Sequence, residues 1–513
     1  MKYFLLIVLF IATCNNLFSQ FGLKSGINSY SKEQYYTCIR KLEPVANNTK
    51  TDPIKRSEAA FYVGLSYLKL SRPADAVGYF RLSISSGPGI NEAYLFLGES
   101  LQMIEQFNEA EKNYQKYISL APDDTIGRNK YNSLKYCKER MQQRSEYYVQ
   151  IMPSFNTAEM DYCPFFDAKD YSTVYFTSSR YLESKVPTNK ESGESYSNIY
   201  RTTQLKDGFW SLAEKIPGDV NTKYDEGTAS LNRQSKNLYF TRCLHSTRSD
   251  KACRIYVATK SGNYWTKAEQ VYIPELPEKV SIGHPCISYD ELTLYFTADS
   301  LPGSYGGKDI YKVSRAKKSD LFGAPQNLGP AINTRCDESY PYVRSDNIFY
   351  FASNGHPGMG GYDIFKAVPL GGVAFEIENM GYPINSPHDD FGIVFMDDEE
   401  QGYLSSERIG GMGKSDIYLF YKTEITFDVS GTVWDKQANK PLSNVKISLM
   451  NTEYKVLATF ETNQVGKYMI KLDKKSDYYL YFYHSDYKTE KIEISTNDLN
   501  ETKHFTREIF LVK

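Results

Sequence analysis

The sequence predicts three modules in series: an all-α helical repeat array, a β-propeller and a small β-sandwich. Three observations carry this expectation. Residues 25–145 place small and apolar residues at helical spacing and repeat themselves at about 34 residues. The middle of the chain repeats a pattern of short aromatic strands and Gly/Asp turns at about 55 residues. From Thr426 onward short stretches alternate apolar and polar residues, with no helical pattern.

With 513 residues the chain is too long for one ordinary core, so about three domains are expected. A hydrophobic content of 41% is that of a globular protein, and 44 tyrosines suit many half-buried strands. The formal charge is −2 and no basic stripe appears, which argues against a nucleic-acid partner.

Residues 1–19 read as an export signal. Lys2 supplies the positive end, Phe4 to Ile11 the apolar run, and Leu17-Phe18-Ser19 the cleavage site before Gln20. A competing reading takes Ile11-Ala12-Thr13-Cys14 as a lipoprotein signal that would acylate Cys14. Both export the protein. The apolar run is too short to span a bilayer, and no other stretch is apolar enough, so no transmembrane segment is expected.

In the helical array, Gly64 and Gly98, Ala76 and Ala110, Phe80 and Tyr114, and Pro88 and Pro122 are repeat equivalents. Small residues let paired helices cross closely, and each proline ends a second helix. A degenerate pair around Tyr35–Val45 and a helix over about Thr125–Gln143 serve as caps. The concave face is expected to carry Glu58, Phe61, Leu65, Leu68, Glu92, Leu95, Glu99 and Gln102, a groove for a helix or apolar segment. The plain alternative is that these residues pack against the array's own extra helices.

The propeller, residues 149–422, is announced by Asn198-Ile-Tyr, Arg254-Ile-Tyr, Asp309-Ile-Tyr, Asp363-Ile-Phe and Asp416-Ile-Tyr. Five such words predict five blades, with six as the alternative. A linker word precedes four of the five blades, Asn156-Thr, Asn221-Thr, Asn333-Thr and Asn385-Ser, each followed by an acidic residue, and Val280–Pro285 is a degenerate copy at the third. Read as a set, Asp161, Asp225, Asp337 and Asp389 are turn-fixing carboxylates rather than a cation-binding ring. In the third copy His284-Pro285 is expected where the others carry Asp-Glu. Cys243 and Cys253 flank a short loop of the second blade and are a candidate disulfide. Gly410-Gly-Met-Gly-Lys-Ser415 lacks the first glycine of a phosphate loop and reads as a blade turn. No HExxH, GxSxG or CxxC occurs, so no catalytic residue, metal site or cofactor is expected.

The last module, residues 425–513, has strands at Phe427–Val433, Pro441–Leu449, Tyr478–Tyr483 and Ile509–Val512, with a turn at Asn463–Tyr468.

Three resemblances follow from these residues. Residues 57–124 resemble tetratricopeptide repeats. Ser288–Ala298 and Gly358–Phe365 resemble the WD-like repeats of TolB-type periplasmic propellers. Ser430–Asp435, Pro441–Val445 and Gly466–Tyr468 resemble the carboxypeptidase regulatory-like fold. The module order is similar to the PorE-type periplasmic family of Bacteroidetes, associated with type IX secretion and gliding. Members of that family continue into an OmpA-like domain that holds peptidoglycan. This sequence stops at Lys513 without one, so peptidoglycan is not expected as a partner. The resemblance implies a non-enzymatic periplasmic adaptor with envelope proteins as partners, in association with the outer membrane. A soluble propeller that binds a peptide or glycan is the alternative.

Overall fold

The computed structural model describes residues 22–513 apart from Pro88, Arg144, Ala168, Asp170, 181–192, 245–251, 372–373, Asp398, 423–425 and 500–501. The expected export signal, Cys14, the expected Pro88 helix stop and residues 181–192 of the long polar loop between the Tyr175-Phe176 and Asn198-Ile-Tyr words therefore lie outside the described residues. The rest falls into two compact units, one of helices and sheets up to residue 421, the other of residues 144–148 and 422–513.

Among the described residues seven helices come first: α1 (22–30), α2 (Tyr35–Asn47), α3 (Pro53–Lys69), α4 (Pro73–Ser86), α5 (Glu92–Met103), α6 (Phe107–Leu120) and α7 (Thr125–Gln142). Proline opens α3 and α4, where its missing N–H has no partner to lose, and Asp52 and Asp124 cap α3 and α7. The repeated glycines explain themselves. A Cβ at Gly64 would lie 2.7 Å from the Phe80 ring, and one at Gly98 would lie 2.8 Å from Tyr114. Successive helices thus touch over an aromatic ring that only glycine admits. Phe61, Phe80, Leu95 and Tyr114 share the resulting core.

After β1 (Tyr147–Ile151) the chain builds four-stranded antiparallel sheets in sequence. The first holds β2 (Asp161–Phe166), β3 (Thr173–Ser178), β4 (Asn198–Thr203) and β5 (Glu214–Lys215). The second holds β6 (Asp225–Leu231), β7 (Asn237–Cys243), β8 (Arg254–Ser261) and β10 (Glu269–Gln270), with β9 (Tyr264–Trp265) beside β8. The third holds β11 (Ile282–Ile287), β12 (Thr293–Asp299), β13 (Lys308–Ser314) and β14 (Gln326–Asn327). The fourth holds β15 (Glu338–Val343), β16 (Phe349–Ser353), β17 (Asp363–Gly371) and β18 (Ala374–Asn379). The fifth holds β19 (Asp390–Phe395), β20 (Gln401–Ser406), β21 (Asp416–Lys422) and, as its outer strand, β1.

The first strands touch in cyclic order, β2 to β6 to β11 to β15 to β19 and back to β2, so the five sheets close a ring. The described residues leave no sixth sheet in that circuit. Second and third strands are sheathed by neighbouring sheets and read as near-continuous buried runs, such as Thr173–Ser178 and Phe349–Ser353.

The second unit carries β22 (Phe427–Asp435), β23 (Lys440–Pro441), β24 (Lys446–Met450), β25 (Val456–Glu461), β26 (Lys467–Leu472), β27 (Asp477–Tyr483), β28 (Glu490–Ser495), β29 (Lys503–Thr506) and β30 (Ile509–Leu511). They form two sheets, one around β22 and one in the order β25-β24-β27-β28, and both contribute to a single apolar core. The Pro441–Leu449 stretch read as one strand is two, β23 and β24, broken at Leu442–Val445. The last two strands run parallel to β22, a pairing the alternation pattern does not disclose.

Candidate functional site

The linker words turn out to be stitches between sheets. Asn156 accepts from the Ile417 N–H and donates to the Ile417 carbonyl, and Asn221 does the same to Ile199, Asn333 to Ile310 and Asn385 to Ile364. Each asparagine amide therefore satisfies both backbone groups of the central Ile of the preceding sheet. Asn156 does so across the closure of the ring.

The adjacent Thr or Ser ties a buried carboxylate. Asp161 accepts from Thr157, Glu338 from Thr334 and Asp390 from Ser386, each through a backbone N–H and a hydroxyl, and Glu226 pairs with Thr222 in the same way. Arg180, Arg242 and Arg408 close ion pairs with Asp161, Glu226 and Asp390 at 2.5, 2.8 and 2.6 Å, while Ser353 serves Glu338.

The true repeat set is thus Asp161, Glu226, Glu338 and Asp390. Asp225, Asp337 and Asp389 occupy the position before it and accept from the backbone N–H groups of Ser197, Lys308 and Tyr362. The third copy also corrects the sequence alignment. Ile282 stands at the carboxylate position, whereas His284-Pro285 aligns with Thr228-Ala229 and Tyr340-Pro341. Gly410–Ser415 is a turn whose backbone donors are filled by the chain itself, since Asp416 accepts from Met412 and Gly413.

Helices cover the end of the ring where these carboxylates lie. Gln102 donates to the Met359 carbonyl at 2.6 Å, Lys69 pairs with Asp337 at 3.6 Å, and Met359 is fully buried. This bears on the expected groove. Phe61 and Leu95 are core residues, Leu65 and Leu68 pack against that core, and Gln102 is buried between Tyr114 and Met359. Glu99 pairs with Lys130 of α7 at 2.7 Å, Glu58 is half-buried and Glu92 is exposed. The face is occupied by the chain's own α7 and ring rather than left as an open groove.

Burial raises the carboxyls in this contact: Asp389 to about 6, and Asp363 and Glu407 well above the usual range.

The opposite end is open. Every first strand carries a bulge, between Tyr162/Phe165, Gly227/Ser230, Gly283/Cys286, Ser339/Tyr342 and Phe391/Val394. At each bulge one residue takes positive φ: Cys163, Thr228, His284, Tyr340 and Gly392. Four of the five are not glycine, and such a conformation costs about 1–3 kcal/mol unless the surroundings enforce it. They do so here: the N–H groups of Cys163, Thr228 and His284 donate to Ser405, Thr177 and Thr241 of the preceding sheets.

Beyond the bulges the five strands enclose a cup of about 360 Å³. Its floor holds the His284 ring stacked on Tyr340 at 4.1 Å, with Tyr340 in turn 4.6 Å from Phe391. Its walls include Ile287, Val343 and Phe395, and its rim Lys169, Tyr171, Arg233, Tyr289 and Asp397. The Arg233 guanidinium lies over Tyr289 at 4.1 Å. Burial lowers the His284 imidazole to about 3, so it is neutral at ordinary pH, and its Nδ1 is buried without a hydrogen-bond partner among the described residues. Burial also pushes the Cys163 thiol well up, which keeps it protonated and a poor nucleophile.

No cup residue belongs to the sequence-predicted set. The available signal was proline inside a first strand, at Cys163-Pro164, His284-Pro285 and Tyr340-Pro341, where only a bulge tolerates it. Cys243 and Cys253 are joined as a disulfide, with Cα atoms 4.1 Å apart; Cys38, Cys137, Cys163, Cys286 and Cys336 are free thiols. Among the described residues no cluster of three His, Cys, Asp or Glu side chains is placed to hold a metal ion. Among them also, no helix is long and apolar enough to cross a membrane.

No protein-family model matches the chain, and no curated protein does. Solved structures give distant likenesses. The first TPR domain of the human RPAP3 protein is 15% identical, covering 24% of this chain and 94% of that one, with a TM-score of 0.22. A thermostable family-43 glycoside hydrolase is 13% identical, covering 53% and 91%, with a TM-score of 0.34. The α-L-arabinofuranosidase from Lactobacillus brevis is 15% identical, covering 46% and 77%, with a TM-score of 0.29. At these scores the likenesses carry no argument about what this chain does.

Proposed function

We propose that this chain is a non-enzymatic, exported binding protein of the cell envelope, an adaptor whose five-bladed propeller presents a recognition cup. In this reading the seven helices are a tetratricopeptide array serving as a brace, and the terminal unit is a carboxypeptidase regulatory-like sandwich. One observation carries it. The repeated buried carboxylates are bonded within the scaffold, while the open mouth is lined by unlike residues from all five sheets. Unlike residues around a concave site suit recognition of something that lacks the ring's symmetry. The module order supports a periplasmic setting and envelope partners, with type IX secretion or gliding as the machine.

Crosslinking in the native host, followed by capture of the tagged chain from membrane and soluble fractions, tests the adaptor reading. Recovery of an envelope component is the expected result; a chain recovered alone contradicts it. A second reading, a free-standing propeller that binds a small ligand, is favoured by the size of the cup. It predicts ligand binding with no protein recovered.

A further inference from the structure

The cup's chemistry is asymmetric from floor to rim. Three of the five bulges follow the positive-φ residue with proline, Pro164, Pro285 and Pro341, which removes N–H donors from the lower wall. The edges of Ile287, Val343 and Phe395 add apolar atoms beside them, so the lower cup is poor in backbone donors. A molecule covered in hydroxyls would lose more to desolvation there than it regains.

The rim differs. Arg233 and Lys169 sit on adjacent sheets, both exposed, and among the described residues neither has a carboxylate within ion-pairing distance. Arg233 is laid flat on Tyr289, which orders the guanidinium while leaving its N–H edge free. Asp397, on the fifth sheet, is the one acidic side chain lining the described rim and disfavours a second negative charge on an occupant.

We propose that the cup takes the C-terminal residue of an extended peptide, its apolar side chain on the Ile287–Phe395 wall and its carboxylate at Arg233 and Lys169. This rests on the reading of the cup as a recognition site. The shared chemistry is one carboxylate joined to an apolar body, which a free organic acid also offers. The cup volume lies at the lower end of the range of about 300–1,000 Å³ typical of ligand pockets, enough for one or two side chains and not for a folded segment.

Calorimetric titration of the full chain with N-acetyl-Ala-Ala-Phe, with its C-terminal amide, with 3-phenylpropionate and with neutral chitotriose tests this. The free-acid peptide binds at least about tenfold tighter than the amide, the margin of a charge-assisted hydrogen bond. Arg233→Ala removes that margin and leaves amide binding unchanged. Phenylpropionate as tight as the peptide makes free acids the occupant, and weaker binding makes it chain ends; both uphold the carboxylate site. Acid and amide binding alike overturns it while the cup stands as a binding site, as does binding of chitotriose alone. If no probe binds, the proposal and the recognition cup fail together.

Discussion

The two ends of the ring are made from the same strands and use opposite kinds of residue. The helix-covered end repeats itself: Asn156, Asn221, Asn333 and Asn385 clamp the backbone of the neighbouring sheet, and Asp161, Glu226, Glu338 and Asp390 are buried and bonded. The open end repeats its bulges but not its side chains, placing Lys169, Arg233, Tyr289, Ser345 and Asp397 at equivalent hairpins. Repetition therefore marks what holds the ring together, and divergence marks what it can recognise.

The largest expected effect falls on the repeated end. Arg408→Met strips Asp390, which is fully buried, of its cation and should cost about 3–5 kcal/mol in urea unfolding. Asn385→Ala leaves the Ile364 N–H without its partner, while the Ile364 carbonyl keeps the Met380 N–H, and a loss of about 1–3 kcal/mol is expected in the same assay. A cost below about 0.5 kcal/mol in either variant would show that the stitches are dispensable.

Gln102→Ala probes the brace. It removes the bond to the Met359 carbonyl and leaves the Tyr114 hydroxyl unpaired, for about 1–3 kcal/mol. Hydrogen exchange should show α5 and α6 opening before the ring's second strands.

The same contact has a pH signature. Burial raises the Asp389 carboxyl from 3.8 to about 6, so the folded protein holds this proton more tightly than the unfolded chain. The associated stability is fully present below about pH 4 and is lost as pH rises through about 6. Asp389→Asn keeps an acceptor for the Tyr362 N–H without the charge. The variant should match the parent in Tm at pH 4 and exceed it above pH 6; the opposite ordering would mean the carboxylate is stabilised there as an anion.

At the open end, Arg233→Ala and Tyr289→Ala should each move stability by no more than about 0.5 kcal/mol, since both side chains are exposed. Their effect is expected on binding.

The period of the five sheets was legible because each repeats a Tyr-Phe or Tyr-Leu strand and an Ile-Tyr or Ile-Phe strand, both buried by neighbours. The helical crossings were legible because Gly64 and Gly98 each face an aromatic ring. The cup was not legible. A bulge in every first strand breaks the two-residue alternation, so Cys163-Pro164, His284-Pro285 and Tyr340-Pro341 do not look like equivalents. The same slip set His284-Pro285 against the acidic pair. The fate of the helical groove was hidden for a different reason: Gln102 meets Met359 across 257 residues of sequence, and α7 supplies Lys130 to Glu99, so no local pattern reports either contact.

The central claim is that the open mouth recognises and the repeated end only supports. The direct measurement is in-cell crosslinking and capture with three tagged chains: the parent, Arg233→Ala/Tyr289→Ala, and Asn385→Ala, with soluble amounts matched. The account predicts that an envelope partner captured by the parent is lost with the rim variant and retained by the folded fraction of the Asn385 variant. Equal capture by the parent and the rim variant would contradict it and move the recognition surface away from the cup.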